Sequence, residues 1–220
     1  MEALRIEVSE ALGTVSARWQ RPENAAFSLV LAHGAGAGMR HAFMEELAAA
    51  LAEAGVATLR FQFPYMEQGR KRPDSTRVAQ QAIAAAVERA TELAEGLPLF
   101  AGGKSFGGRM TSQLAAEGRL KTASGLVFYG FPLHASGRPG TERAAHLASV
   151  PQPMLFLQGT RDRLAEVDLM RDVCRKLPTA TLLFVEDGDH SFRMLKRAGI
   201  SDAAVIRQLA RATREWMAEQ

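Results

Sequence analysis

A length of 220 residues points to one domain spanning 1–220, large enough to bury roughly 70% of its unfolded surface without covalent staples. The single cysteine rules out an internal disulfide and suits a reducing cytoplasm. With 27 basic and 24 acidic residues the net charge is only +3, too little for a nucleic-acid-binding stripe, and no run approaches the roughly 18 apolar residues that cross a bilayer.

The opening MEALRIEVSE has neither the basic nor the apolar region of a signal peptide. Leu4, Ile6 and Val8 alternate with polar residues, and Val15, Ala17 and Trp19 do so again beyond Gly13, which predicts an antiparallel hairpin. FSLVLA (27–32) is short and nearly all apolar, as in a strand buried on both faces. Phe43, Leu47, Ala48 and Leu51 share a helical face that Gly55 ends, and VATLRF (56–61) reads as the next strand. Asp74 or Ser75 can cap a long helix through Val78, Ala82, Ala86, Ala90 and Leu93, stopped by Gly96 and Pro98. Strand candidates PLFAG (98–102), GLVFYG (125–130), PMLFLQG (153–159) and TLLFVE (181–186) follow. Between the last two, Val167, Met170, Val173, Cys174 and Leu177 form an apolar stripe; Ser201 can cap a final helix with Val205, Leu209, Thr213 and Trp216 on one side. This order predicts an α/β fold: a mostly parallel twisted sheet, an N-terminal antiparallel hairpin and helices on both faces. Ligands in such sheets sit beyond the carboxyl ends of the strands, so functional residues belong just after each apolar run.

GGKSFGGRM (102–110) admits two chemistries. Gly103-Lys104-Ser105 resembles the end of a phosphate-binding P-loop, yet the first glycine of that motif would fall on Pro98, and the intervening residues are the strand itself. Gly103 to Gly107 also spell G-x-S-x-G, with a strand ending at Gly102 and a helix carrying Met110 and Leu114 beginning at once. That context fits a nucleophile elbow, in which small neighbours let a serine take a strained turn.

A serine hydroxyl needs a base, and the base an orienting acid. His190 in EDGDHSF follows the last strand, and Asp162 in QGTRDRL follows the one before it, giving the chain order Ser105, Asp162, His190. Asp168 falls inside a helix, while Asp187 and Asp189 are too near His190 in sequence to reach it from across the sheet. The third requirement is a pair of donors for the oxyanion. In LAHGAGAG (31–38) Ala35 is the candidate, with Gly36 the neighbouring option, and Phe106, directly after the nucleophile, supplies the second. His33 reads as a structural hydrogen-bonding group of that loop.

HGAGAG, RFQFPY, GGKSFGGRM, QGTRD and GDHSF together resemble the α/β-hydrolase superfamily over essentially the whole chain, in the small cap-less branch near dienelactone hydrolases often called KANL/Tex-like. The resemblance implies an eight-stranded sheet and a Ser–Asp–His triad at Ser105, Asp162 and His190. It departs from true dienelactone hydrolases in having serine where they have cysteine. The function expected is hydrolysis of a small carboxylic ester or thioester through an acyl-enzyme; the alternative is a catalytically silent scaffold that binds a protein partner. Phe63, Tyr65, Phe131 and Phe192 are candidate pocket-lining residues, and Arg70, Lys71 and Arg72 candidate contacts for an anionic acyl group. No metal-ligand spacing and no dinucleotide fingerprint is present, so no cofactor is expected.

Overall fold

The computed structural model describes residues 1–220. Eight strands form one sheet: β1 (Glu2–Ser9), β2 (Gly13–Gln20), β3 (Phe27–Ala32), β4 (Val56–Phe61), β5 (Leu99–Lys104), β6 (Gly125–Tyr129), β7 (Met154–Gly159) and β8 (Ala180–Val185). Their spatial order is β1-β2-β4-β3-β5-β6-β7-β8, with β1–β2 and β2–β4 antiparallel and every other pairing parallel. The expected hairpin, parallel sheet and strand count are all present. Two strands, β3 and β4, have the bounds expected of them; β5 runs two residues past its expected end, so Lys104 belongs to the strand.

Helices α1 (Ala42–Glu53), α2 (Pro64–Glu67), α3 (Thr76–Ala94), α4 (Phe106–Ala116), α5 (Val167–Arg175) and α6 (Asp202–Met217) fill the connections. The pleat sorts the core into two layers. Along β3, Leu29 and Leu31 pack with Phe43, Leu47 and Leu51 of α1 and Leu209 and Trp216 of α6. Val30 and Ala32 face the other way, towards Ile83 of α3, Met110 of α4 and Met170 of α5. Strands covered on both faces cannot alternate polar with apolar residues, which is why β3–β7 read as continuous apolar runs. Ser75, not Asp74, caps α3 by accepting from the Val78 N–H. Asp74 instead accepts from the Tyr65 N–H at 2.8 Å and pairs with Arg70 at 2.7 Å. Cys174 is buried, and burial pushes its thiol up to about 12, which removes it from thiolate chemistry.

Two features of the packing set the geometry of the strand ends. First, β5 lies unusually tight between its neighbours. A methyl group at Gly102 would fall on the Val127 backbone, and one at Gly103 on the Ala32 backbone. At Gly107, in the first turn of α4, a methyl would lie 2.6 Å from the Ala32 carbonyl oxygen. Second, the fully buried His33 ties the end of β3 to the end of β4. Its Nδ1–H donates to the Gly34 carbonyl at 2.8 Å, and its Nε2 accepts from the Phe63 N–H at 3.1 Å. Burial pushes its pKa down to about 4, against the opposing pull of the Gly34 carbonyl, so the ring is neutral at ordinary pH.

Gly103→Ala should cost roughly 4 kcal/mol or leave no folded protein, whereas Gly118→Ala, which points into open space and bears only a positive-φ penalty, should cost about 1 kcal/mol by urea denaturation. For His33 the sign follows from its depressed native pKa. The unfolded chain protonates first, so stability present above pH 6.5 is lost as the pH falls towards 4, on the order of 3 kcal/mol from this residue. Urea midpoints of His33→Gln should therefore depend less steeply on pH across that window than those of the parent chain.

Candidate active site

Ser105 stands at the junction of β5 and α4 with φ 50° and ψ −111°. A side chain with a Cβ is strained there, and such strain persists only where the surroundings over-determine it. Here the Ser105 N–H is held by the Tyr129 carbonyl at 3.2 Å and the Ser105 carbonyl accepts from the Arg109 N–H at 3.0 Å. Missing side chains at Gly103 and Gly107 let the turn sink against β3. The result projects the Ser105 hydroxyl away from the sheet edge instead of along it.

His190 Nε2 lies 2.9 Å from Ser105 Oγ, and His190 Nδ1 lies 2.7 Å from Asp162 Oδ2. Three residues distant in sequence therefore meet at the carboxyl rim. The Asp162 side chain is wholly buried and that of His190 about a quarter exposed. Asp162 Oδ2 also accepts from Gln158 Nε2 at 2.5 Å, and Oδ1 from the Leu164 N–H at 2.8 Å. Asp162 accepting through Oδ2 directs the imidazole N–H to Nδ1, leaving Nε2 facing the serine hydroxyl. The loop bearing His190 is shaped by Asp189, whose Oδ1 accepts from the N–H groups of Ser191 and Arg193 at 2.8 and 2.9 Å. Asp168 lies on α5, 94% exposed, beside Arg171.

The segment 33–38 passes over the serine. Gly36 is not a free donor, because its N–H is taken by the Tyr65 hydroxyl at 2.9 Å. Ala35 N–H donates to no group of the protein, and Phe106 N–H is the first donor of α4, where no intrahelical acceptor exists. His33, Tyr65 and Gln62, which accepts from the Met39 N–H at 2.8 Å, together fix the path of this loop. Gln62 carries no sequence signal for that role; only its position after β4 places it there.

A cleft of about 370 Å³ opens above Ser105. Its apolar wall is Ala35, Ala37, Phe43, Met44 and Leu164, and its polar groups are His41, Lys104, Ser105, His190 and Ser191. A larger groove of about 680 Å³ runs between α1 and α6 past Arg207, Arg211 and Arg214, but it holds no nucleophile and lies away from the triad residues. The four aromatic residues expected to line the pocket are absent from its lining and pack elsewhere. Phe63 stands edge-on to His33 at 4.8 Å and to Phe106 at 5.4 Å. Tyr65 holds Gly36. Phe131 packs between Phe128 and Phe156, at 5.4 and 5.7 Å. Phe192 stacks on Phe43 at 5.8 Å and so supports the wall from behind. Arg70, Lys71 and Arg72 are exposed and also lie outside the cleft. The wall comes instead from the start of α1, which the apolar spacing of 43–51 identified as core-facing without showing that its first turn overhangs the serine.

Lys104 is the unexpected member of the lining. Its ammonium has no hydrogen-bond partner, and it sits over the rings of Phe43 and Phe192 at 5.9 and 5.8 Å. Burial pushes its pKa down to about 8, while Asp162 and Asp189 pull it back up.

Comparisons with known proteins identify the fold and family. Residues 25–218 match the family model described as an alpha/beta hydrolase domain. An α/β serine hydrolase homologue from Coxiella burnetii superposes with a TM-score of 0.77 at 19% identity over 96% of each chain. A dienelactone hydrolase from Anabaena variabilis gives 0.77 at 21% identity, covering 99% of this chain and 96% of that one. A lidless α/β serine hydrolase from Xanthomonas campestris gives 0.74 at 22%, covering 98% and 94%. No helix of the chain is long and apolar enough to cross a membrane. Matched by that family model over most of its length, the chain belongs to the α/β-hydrolase superfamily.

Proposed function

We propose that the chain is a serine hydrolase that cleaves a small carboxylic ester or thioester through an acyl-enzyme on Ser105. The observation that carries this reading is the unbroken relay from Ser105 Oγ to His190 Nε2 at 2.9 Å and from His190 Nδ1 to Asp162 Oδ2 at 2.7 Å. Ser105 Oγ attacks the carbonyl carbon while Nε2 takes its proton, and Asp162 stabilises the imidazolium that forms. The carbonyl oxygen, now negative, lies between the Ala35 and Phe106 N–H groups, each such donor being worth about 3 kcal/mol when measured by deletion. The imidazolium then protonates the leaving alcohol or thiol. Water enters, gives a proton to Nε2, attacks the acyl-enzyme, and Ser105 is regenerated as the acid departs.

The cleft's modest volume and the short wall from Ala35, Ala37, Phe43, Met44 and Leu164 favour a short acyl chain. The fold needs no cap to complete the site, so the leaving group extends into solvent and is weakly selected.

A fluorophosphonate probe should label the wild-type chain and leave Ser105→Ala unlabelled; no label on the wild type, or equal label on both, removes the mechanism. Asp162→Asn should lower kcat by roughly 10^3 to 10^4-fold, since the imidazole loses both its tautomer and its counter-charge. Across p-nitrophenyl esters of graded chain length, kcat/KM for acetate and butyrate should exceed that for decanoate by about tenfold or more. Turnover no greater than that of Ser105→Ala across the whole panel would favour the silent-scaffold alternative.

A further inference from the structure

Lys104 presents a physical problem that its neighbours in the chain do not solve. An ammonium out of reach of water is strongly disfavoured unless it is paired or hydrogen-bonded. Lys104 Nζ has neither water exposure nor a hydrogen-bond partner, and no carboxylate approaches it within 4.0 Å. An apolar residue would fill the space between Phe43 and Phe192 at lower cost. Strand β5 nevertheless places a cation there, one residue before the nucleophile.

The position of Nζ relative to the triad residues supplies a reason. A methyl group built on Gly130 would lie 2.9 Å from Lys104 Nζ, 3.2 Å from the His190 carbonyl oxygen and 3.5 Å from His190 Nδ1. Those three atoms therefore surround one point just after β6, next to His190 Nδ1. Asp162 and Asp189 both act on the ammonium electrostatically. The buried carboxylate and the buried ammonium thus flank the same ring nitrogen.

We propose that Lys104 is a positioning residue of the triad, whose buried positive charge offsets the Asp162 carboxylate so that the resting imidazole of His190 stays unprotonated and able to accept the serine proton. A carboxylate beside an imidazole favours the protonated ring, and a nearby ammonium opposes it. A general base works best when its proton affinity is matched to the operating pH. A second charge of opposite sign at a fixed distance sets that match. The effect is electrostatic and acts through low-dielectric surroundings, where one unit charge a few ångströms away shifts a titration on the order of one pH unit.

The other titratable groups facing the Asp162–His190 pair are few. From its own loop come Asp187 and Asp189; from the segment after β7, the exposed Arg161 and Arg163; from the start of α1, the exposed His41. The backbone of His134, after β6, donates to the Leu164 carbonyl beside Asp162. Of the cations, Lys104 alone is buried and so escapes screening by solvent and salt. Burial holds it near 8, hence it is charged at neutral pH.

The kinetic part of the test rests on the hydrolase reading; the spectroscopic part does not. Lys104→Met removes the charge and suits the apolar surroundings, Lys104→Gln does the same with a polar tip should the first not fold, and Lys104→Arg keeps the charge. In each, the acid limb of kcat/KM for p-nitrophenyl acetate is recorded against pH. The His190 imidazole is titrated in parallel by NMR, with its resonance assigned by comparison with His190→Gln. The expected result is that both midpoints move to higher pH by about one unit in Lys104→Met or Lys104→Gln, and stay at the wild-type position in Lys104→Arg. Lower activity with unmoved midpoints would mean that Lys104 is only packing, and would overturn the proposal. So would Lys104→Arg moving as far as the neutral variants. If the wild type hydrolyses no ester, that failure counts against the hydrolase reading alone, and the NMR midpoints still decide the role of Lys104.

Discussion

The site depends on one close approach of backbone to backbone. β5 is wedged between β3 and β6 so tightly that Gly102 and Gly103 leave no room for a side chain, and α4 begins against β3 at Gly107. Only this closeness allows the chain to reverse within a single residue. Ser105 absorbs the reversal with a positive φ that serine does not prefer. The strain is local, but the packing that maintains it is not. It draws on both apolar layers and on the pairing of three strands, so Ser105 is held by the fold as a whole and by no one contact.

Around that serine the remaining groups are placed by ends of strands, as expected for ligand sites in parallel sheets. β7 delivers Asp162, β8 delivers His190, and β3 delivers the loop with the Ala35 donor. Burial differs among them in a way that suits their chemistry. Asp162 is enclosed and hydrogen-bonded at both oxygens, which fixes the imidazole, whereas His190 is partly open to the cleft.

Much of this was legible in the residues themselves. The bounds of β3 and β4 followed from short apolar runs, and the chain order of Ser105, Asp162 and His190 followed from their positions after successive strands. The fold's eight-stranded sheet was implied by the resemblance and is present. What could not be read was direction. Phe63, Tyr65, Phe131 and Phe192 lie just after strands, where functional residues gather, yet each turns into the core. Spacing gives a residue's place along the chain; whether its ring points to solvent or to a neighbour depends on packing from elements far away in sequence. Lys104 shows the same limit. An ammonium is expected to find water or an acid, and nothing in GGKSFGG says that the strand runs on past Gly102 and encloses it.

Tyr65 and His33 join the donor loop to the stretch after β4, so two regions that are separate in sequence behave as one rigid piece. Changing residues 62–65 would loosen the loop that carries the free Ala35 N–H beside Ser105. The start of α1 is tied to the same loop through the His41 N–H, which donates to the Gly38 carbonyl at 3.2 Å, whereas the loop containing Leu164 makes no hydrogen bond to it. Divergence in the shape of the opening among proteins built on this plan should therefore accumulate on the Leu164 side, while the side formed by residues 62–65 stays nearly unchanged.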